Sequence, residues 1–131
     1  MDDKQYQLRM HALRERMADL WLPKDVFASI ERITRSAHEN YLEVDPSILQ
    51  LDITRLSELN DLLATHQDDK KDGINLRLSN LDMFDLEKLS LYAEEFYGDL
   101  GGEEQLGMTP PDITALSEKL GKYRETTFPA G

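Results

Sequence analysis

The order of apolar and polar residues changes its period once, between Ile74 and Tyr92. Ile74, Leu76 and Leu78 alternate with Asn75, Arg77 and Ser79, which is the spacing of a half-buried strand. Leu81, Leu86, Leu89 and Tyr92 follow at helical spacing. A strand over 74–78 is therefore expected to run straight into a helix that starts near Ser79 and extends to about Gly98. Ser79 and Asp82 stand at capping-box distance at its start. A lone strand leaves its backbone N–H and C=O groups unpaired, so this one requires a neighbour.

The rest of the chain reads as helix. Tyr6, Met10, Leu13, Met17 and Leu20 step by four and three, the seam of a first helix that Trp21, Leu22 and Pro23 end. Val26, Ile30, Ile33, Ala37 and Tyr41 form a second seam, with Asp25 placed as its cap. The short connection makes the two an antiparallel hairpin over residues 1–43. Asp45 and Pro46 open a short helix or turn, and Leu56, Leu59, Leu62 and Leu63 carry a helix to about Thr65. Residues 67–73 (QDDKKDG) form a polar loop that closes on a glycine suited to positive φ. Past Gly101 and Gly102 a loop reaches Met108. Thr109, Pro110 and Asp112 then start a last helix that buries Ile113, Leu116, Leu120 and Tyr123, with a frayed tail from Thr126. The expected fold is mainly α: a hairpin over 1–43, a helix-loop-strand-helix unit over 44–100, and a loop and helix over 101–131, packed as one small domain.

Composition narrows the function classes. The chain has 131 residues, 40% hydrophobic and 31% charged, with no cysteine, so disulfides and thiolate chemistry are out and one ordinary globular core is in reach. No apolar run approaches a membrane span, and the first residues, MDDKQYQLRM, carry no signal-peptide pattern. An intracellular location is expected. The net charge of −11 opposes direct binding to a phosphate backbone. Residues 44–100 hold 13 acids against 5 bases, so a basic partner is drawn to the middle of the chain.

Candidate chemistry is sparse. His11, His38 and His66 lie on separate segments without ligand spacing for zinc. Asp68, Asp69 and Asp72 lack the terminal glutamate of a calcium loop. The adjacent pairs Glu94–Glu95 and Glu103–Glu104 point in different directions. No phosphate-binding glycine loop or nucleophile constellation can be assembled. Neither an enzyme nor a cofactor is expected.

Two stretches, LQLDITRL (Leu49 to Leu56) and DGINLRLSNLDMFDLEKLSLY (Asp72 to Tyr92), resemble the extraterminal (NET) domain of BET bromodomain proteins and the related C-terminal domains of some YEATS-containing chromatin subunits. The apolar positions 74, 76, 78, 81, 86, 89 and 92 keep that family's spacing. After Leu56 this chain is about two residues shorter than the family, and it carries Asn75 and Arg77 where the family has acids. The resemblance implies a nuclear module that binds a short peptide of a chromatin-associated partner by strand addition. The peptide, bearing basic and apolar residues, would lie beside 74–78. Leu51, Ile53 and Leu56 would form one wall of its groove, with Ile74, Leu76 and Leu78 on the strand and Asp68, Asp69, Asp72 and Asp82 as the nearby acids. An N- or C-terminal extension filling that groove from within is the variant of this reading in which the strand serves folding alone.

Two other classes remain open from the residues themselves. A small acidic inhibitor, of the immunity or phage anti-defence kind, would block a basic surface of a nucleic-acid-handling protein. A structural subunit would dock through the hairpin 4–42, and an exposed Trp21 is its mark.

Overall fold

The computed structural model describes residues 3–40, 51–64 and 72–128, with the side chains of residues 10–15 excepted. Six helices and one two-stranded antiparallel sheet occur among the described residues, the mainly α fold expected. In chain order they are α1 (Asp3–Glu15), β1 (Met17–Pro23), α2 (Lys24–Glu39), α3 (Ile53–Ala64), β2 (Gly73–Ser79), α4 (Asn80–Glu95), α5 (Gly102–Leu106) and α6 (Pro110–Thr127).

The N-terminal segment departs from a plain helical hairpin. Its first helix stops at Glu15, and Met17–Pro23 is a strand that pairs with β2 along its whole length, Leu20 facing Leu76 and Leu22 facing Ile74. Ala18, Leu20 and Leu22 turn inward, while Met17, Asp19 and Trp21 turn outward. The reason is energetic: β2 needs a hydrogen-bonding neighbour, and a strand here gives it one while burying Leu20 and Leu22. Each leucine removed from water in this way stabilises the fold by about 1.5–3 kcal/mol. As a helix, the same seven residues would leave β2 unpaired.

β1 passes into α2 without a loop. Pro23, extended at ψ 148, is the N-cap, and the Lys24 N–H donates to the Asp72 carbonyl at 3.0 Å. Asp25 therefore lies in the first turn, where its charge suits the helix dipole, and is not the cap. α2 buries Val26, Ile30, Ile33 and Ala37 as its seam predicts, and packs on α3, α4, α5 and both strands. α3 begins after Asp52, whose carboxylate accepts from the Arg55 N–H at 2.8 Å, and buries Leu56, Leu59 and Leu63.

α4 starts as expected. The Asp82 N–H donates to Ser79 Oγ at 3.0 Å, and the Ser79 N–H donates back to the Asp82 carboxylate at 2.9 Å. The helix ends at Glu95, three residues short of the glycine at 98. Gly101, Gly102 and Gly107 all hold positive φ, and the stretch expected as loop contains the short α5. Thr109 launches α6, its N–H and Oγ1–H both donating to the Asp112 carboxylate. α6 runs antiparallel to α4, since Thr114 bonds Glu94 at 2.8 Å and Arg124 bonds Glu87 at 2.7 Å. The end of α6 is not frayed: helix continues to Thr127 and Phe128 is buried in the core. The cap expected at Asp45–Pro46 and the acids Asp68 and Asp69 lie outside the described residues, as do His66 and Tyr41.

Candidate functional site

The sheet has two faces and two outer edges, and each sorts the residues singled out above. The inner face carries Ile74, Leu76 and Leu78, all 3% exposed or less, against Leu20 and Leu22. Leu51 and Leu56 are likewise buried. Five of the six apolar groove candidates are thus core side chains, and β1, from the N-terminal segment, pairs beside the three on β2. Ile53 alone is exposed, on the first turn of α3.

The two acids within the described residues divide. Asp72 is exposed and gives its carbonyl to Lys24. Asp82 is committed twice, to the Ser79 N–H and to Arg55 Nη2 at 2.7 Å. Arg55 also reaches Asp85 through Nε at 2.7 Å and Glu58 at 3.4 Å. Asp85 is 3% exposed. Burial pushes its carboxyl above the usual carboxylate range, and the bonds to Arg55 hold it back only in part. This guanidinium with its two carboxylates ties α3 to the start of α4. Its parts stand 27 and 30 residues apart in sequence, so no local spacing announces it.

Both outer edges of this two-stranded sheet keep unpaired backbone. Lys24 and Asp72, and Asn80 and Arg16, are hydrogen-bonded pairs just beyond the two ends of the sheet register. Bonded and non-bonded pairs alternate along an antiparallel ladder. The pairs 18/78, 20/76 and 22/74 are therefore bonded, and the N–H and C=O groups of Gly73, Asn75 and Arg77 point away from β1. None of these six groups has a hydrogen-bond partner among the described residues. The outward N–H of Ser79 is taken by Asp82. On the outer edge of β1, Met17, Asp19 and Trp21 turn their N–H and C=O groups away from β2 in the same way, and Pro23 blunts only its end, where it presents no N–H.

Trp21 marks the same place. It is 52% exposed on the outer face, and its indole leans across the sheet onto Gly73. A Cβ at Gly73 would lie 2.2 Å from two ring atoms, so glycine is required there by a close approach. Positive φ, the reason expected for that glycine, is confined among the described residues to Gly101, Gly102 and Gly107. Asp19 and Arg77 pair at 3.4 Å beside Trp21, both well exposed. The sequence pattern singles out Trp21 only as the mark of a docking hairpin, and it is exposed; Gly73, Asn75 and Arg77 are not among the site residues that pattern suggests. The alternation Ala18–Leu20–Leu22 was the signal, hidden because Met17 and Leu20 also continue a helical seam.

A second surface is set by charge. Residues 89–118 contain seven acids and no lysine or arginine. Glu94, Glu95, Asp99, Glu103, Glu104, Asp112 and Glu118 are all exposed. Burial, and then the negative charges of Glu103 and Asp112, push the Tyr97 phenol above its ordinary range. No group of acids and histidines that could hold a metal ion occurs among the described residues. No helix among them is long and apolar enough to cross a membrane. No protein-family model matches the chain, and neither a curated protein nor a solved structure matches it significantly.

Proposed function

We propose that this chain is a non-catalytic protein-interaction module that binds an extended peptide segment by strand addition at the outer edge of β2. The observation that carries the reading is the row of outward N–H and C=O groups at Gly73, Asn75 and Arg77, with the half-exposed Trp21 laid over its start. An extended chain placed there becomes a third strand and exchanges backbone bonds worth about 0.5–1.5 kcal/mol each. Trp21 supplies an aromatic surface for its outward side chains. After ordering costs, a micromolar affinity is expected.

The resemblance of 49–92 to extraterminal domains supports the same class of function and extends it to a chromatin-associated partner and a nuclear location. The binding mode changes in one respect. β1 holds, within the chain, the place that the resemblance gives to an incoming peptide, and Leu20 and Leu22 fill the core where its apolar residues would enter. The partner is therefore a third strand, and its acceptor residues are Gly73, Asn75 and Arg77 in place of Ile74, Leu76 and Leu78.

One substitution isolates this edge. The Asn75 N–H points away from β1, so Asn75→Pro removes an outward donor and leaves the β1 ladder intact. With a ten-residue peptide of alternating lysine and leucine, amide shifts in the unsubstituted chain should cluster on Gly73, Asn75 and Arg77. Asn75→Pro should keep the native circular dichroism and lose the binding. Absence of shifts at 73–79, or binding that survives Asn75→Pro, sinks the reading.

The acidic belt of 89–118 favours a second reading, that of an inhibitor occupying a basic surface of a nucleic-acid-handling protein. Exposed charges would carry that affinity, so it should collapse between low and physiological salt. Strand addition, held by backbone bonds, should change little over the same range.

A further inference from the structure

We infer that the valley between α4 and α6 is a second docking surface, separate from the sheet edge, and that its occupant is an amphipathic helix of a partner protein. That helix presents one large aliphatic side chain flanked by lysine or arginine a turn to either side. The valley is an open groove of about 430 Å³. Its apolar wall is Leu91 of α4, which is 54% exposed although it sits between two packed helices. The facing positions on α6 are Ser117 and Gly121, one turn apart, so no bulky side chain fills the floor.

Gly121 lies in the helix interior, where alanine is the better helix former. A Cβ there would stand 3.2 Å from a Glu87 carboxylate oxygen, and Glu87 is itself held against α6 by Arg124 at 2.7 Å. The glycine thus lets Glu87 lie close and leaves the floor flat. Beyond Glu87, Phe84 is 48% exposed on the same side of α4, with the Arg124 guanidinium 5.7 Å from its ring centre. Phe84 and Leu91, two turns apart, continue one exposed apolar line along the helix.

Charge selects the occupant. Glu118 and Glu125 border the groove on α6, are exposed, and have no ion-pair partner among the described residues. Seven residues separate them, about 10.5 Å at 1.5 Å per residue. A partner helix laid along α6 meets that spacing with two cations seven residues apart, and its aliphatic residue between them falls over Leu91 and Gly121. Lys122, midway between the two glutamates, covers that residue with its alkyl stem while its ammonium stays in water. Helix-in-groove binding of this kind uses the same i, i+3, i+4 and i+7 positions.

The test uses the full chain, labelled with nitrogen-15, and an alanine-based helical peptide. The peptide carries one leucine, with a lysine four residues before it and another three residues after. Amide shifts should cluster in 87–91 and 117–125. Leu91→Ala should weaken binding by about tenfold or more, since a single aliphatic contact carries the site. The double variant Glu118→Gln/Glu125→Gln should weaken it by a similar factor at low salt and remove most of its salt dependence. Both variants alter exposed side chains and should retain the native circular dichroism. Shifts absent from those two segments, shifts confined to 73–79, or an affinity indifferent to both variants overturn the inference.

Discussion

Arg55→Met is the perturbation whose size the structure fixes best. Arg55 donates to Asp85 and to Asp82 at 2.7 Å each, and the three side chains are 19%, 5% and 16% exposed. Removing the guanidinium leaves Asp85 charged, buried and without its counter-ion. Breaking a buried pair from one side costs about 3–5 kcal/mol, against a total stability of about 5–15 kcal/mol for a domain. A fall in melting temperature of roughly 10–20 °C should follow for a chain of this length. Urea unfolding monitored by circular dichroism measures the loss directly.

The loss should also depend on pH. Asp85 has a folded-state pKa raised by burial, so the unfolded chain gives up this proton first as pH rises. Its contribution to stability therefore declines from the ordinary carboxylate range upward and levels off above the folded value. Without Arg55 the raised value moves further up. Arg55→Met should then be least harmful near pH 4 and most harmful at pH 7. Replacing the second partner as well, in Arg55→Met/Asp85→Leu, should restore most of the stability, because an apolar pair needs no counter-ion. A cost for Arg55→Met below about 1 kcal/mol at pH 7, or an equal cost at both pH values, would refute this role for Arg55.

Three further outcomes are expected. Gly73→Ala places a methyl group against the Trp21 ring and the Leu22 carbonyl, and should cost about 1–3 kcal/mol; Trp21→Ala in the same chain should recover part of that in a double-mutant cycle. Leu20→Ala should cost about 2–5 kcal/mol in urea unfolding, while Met17→Ala, on the exposed face of the same strand, should stay within about 0.5 kcal/mol; equal costs would contradict the strand register. Asp112 is held below the usual carboxylate range by the Thr109 N–H and then its hydroxyl, so its stabilisation is present above the ordinary pKa and lost as pH falls through the folded value. Asp112→Asn should abolish that acid-limb dependence in thermal unfolding below about pH 4.

Local chemistry was legible in the sequence wherever it acts over a few residues. The strand at Ile74 to Leu78, the Ser79–Asp82 capping box and the Thr109–Pro110 start of the last helix all stand where the pattern puts them. So do the buried seam Val26, Ile30, Ile33 and Ala37, and Leu56, Leu59 and Leu63 of α3 and Leu81, Leu86 and Leu89 of α4. Each follows from backbone geometry or helical periodicity, which neighbours in sequence fix between them.

What the sequence alone left open is what depends on partners far along the chain. Met17 and Leu20 fit a helix and Ala18, Leu20 and Leu22 fit a strand, and only the unpaired backbone of β2, more than fifty residues away, decides between them. The same decision moved Ile74, Leu76 and Leu78 from a groove into the core, and put Gly73, Asn75 and Arg77 on the open edge. Gly73 answers to the Trp21 ring and Asp85 to Arg55, pairings that no spacing encodes. Periodicity tells a residue which side it turns; the packed structure tells it what lies there.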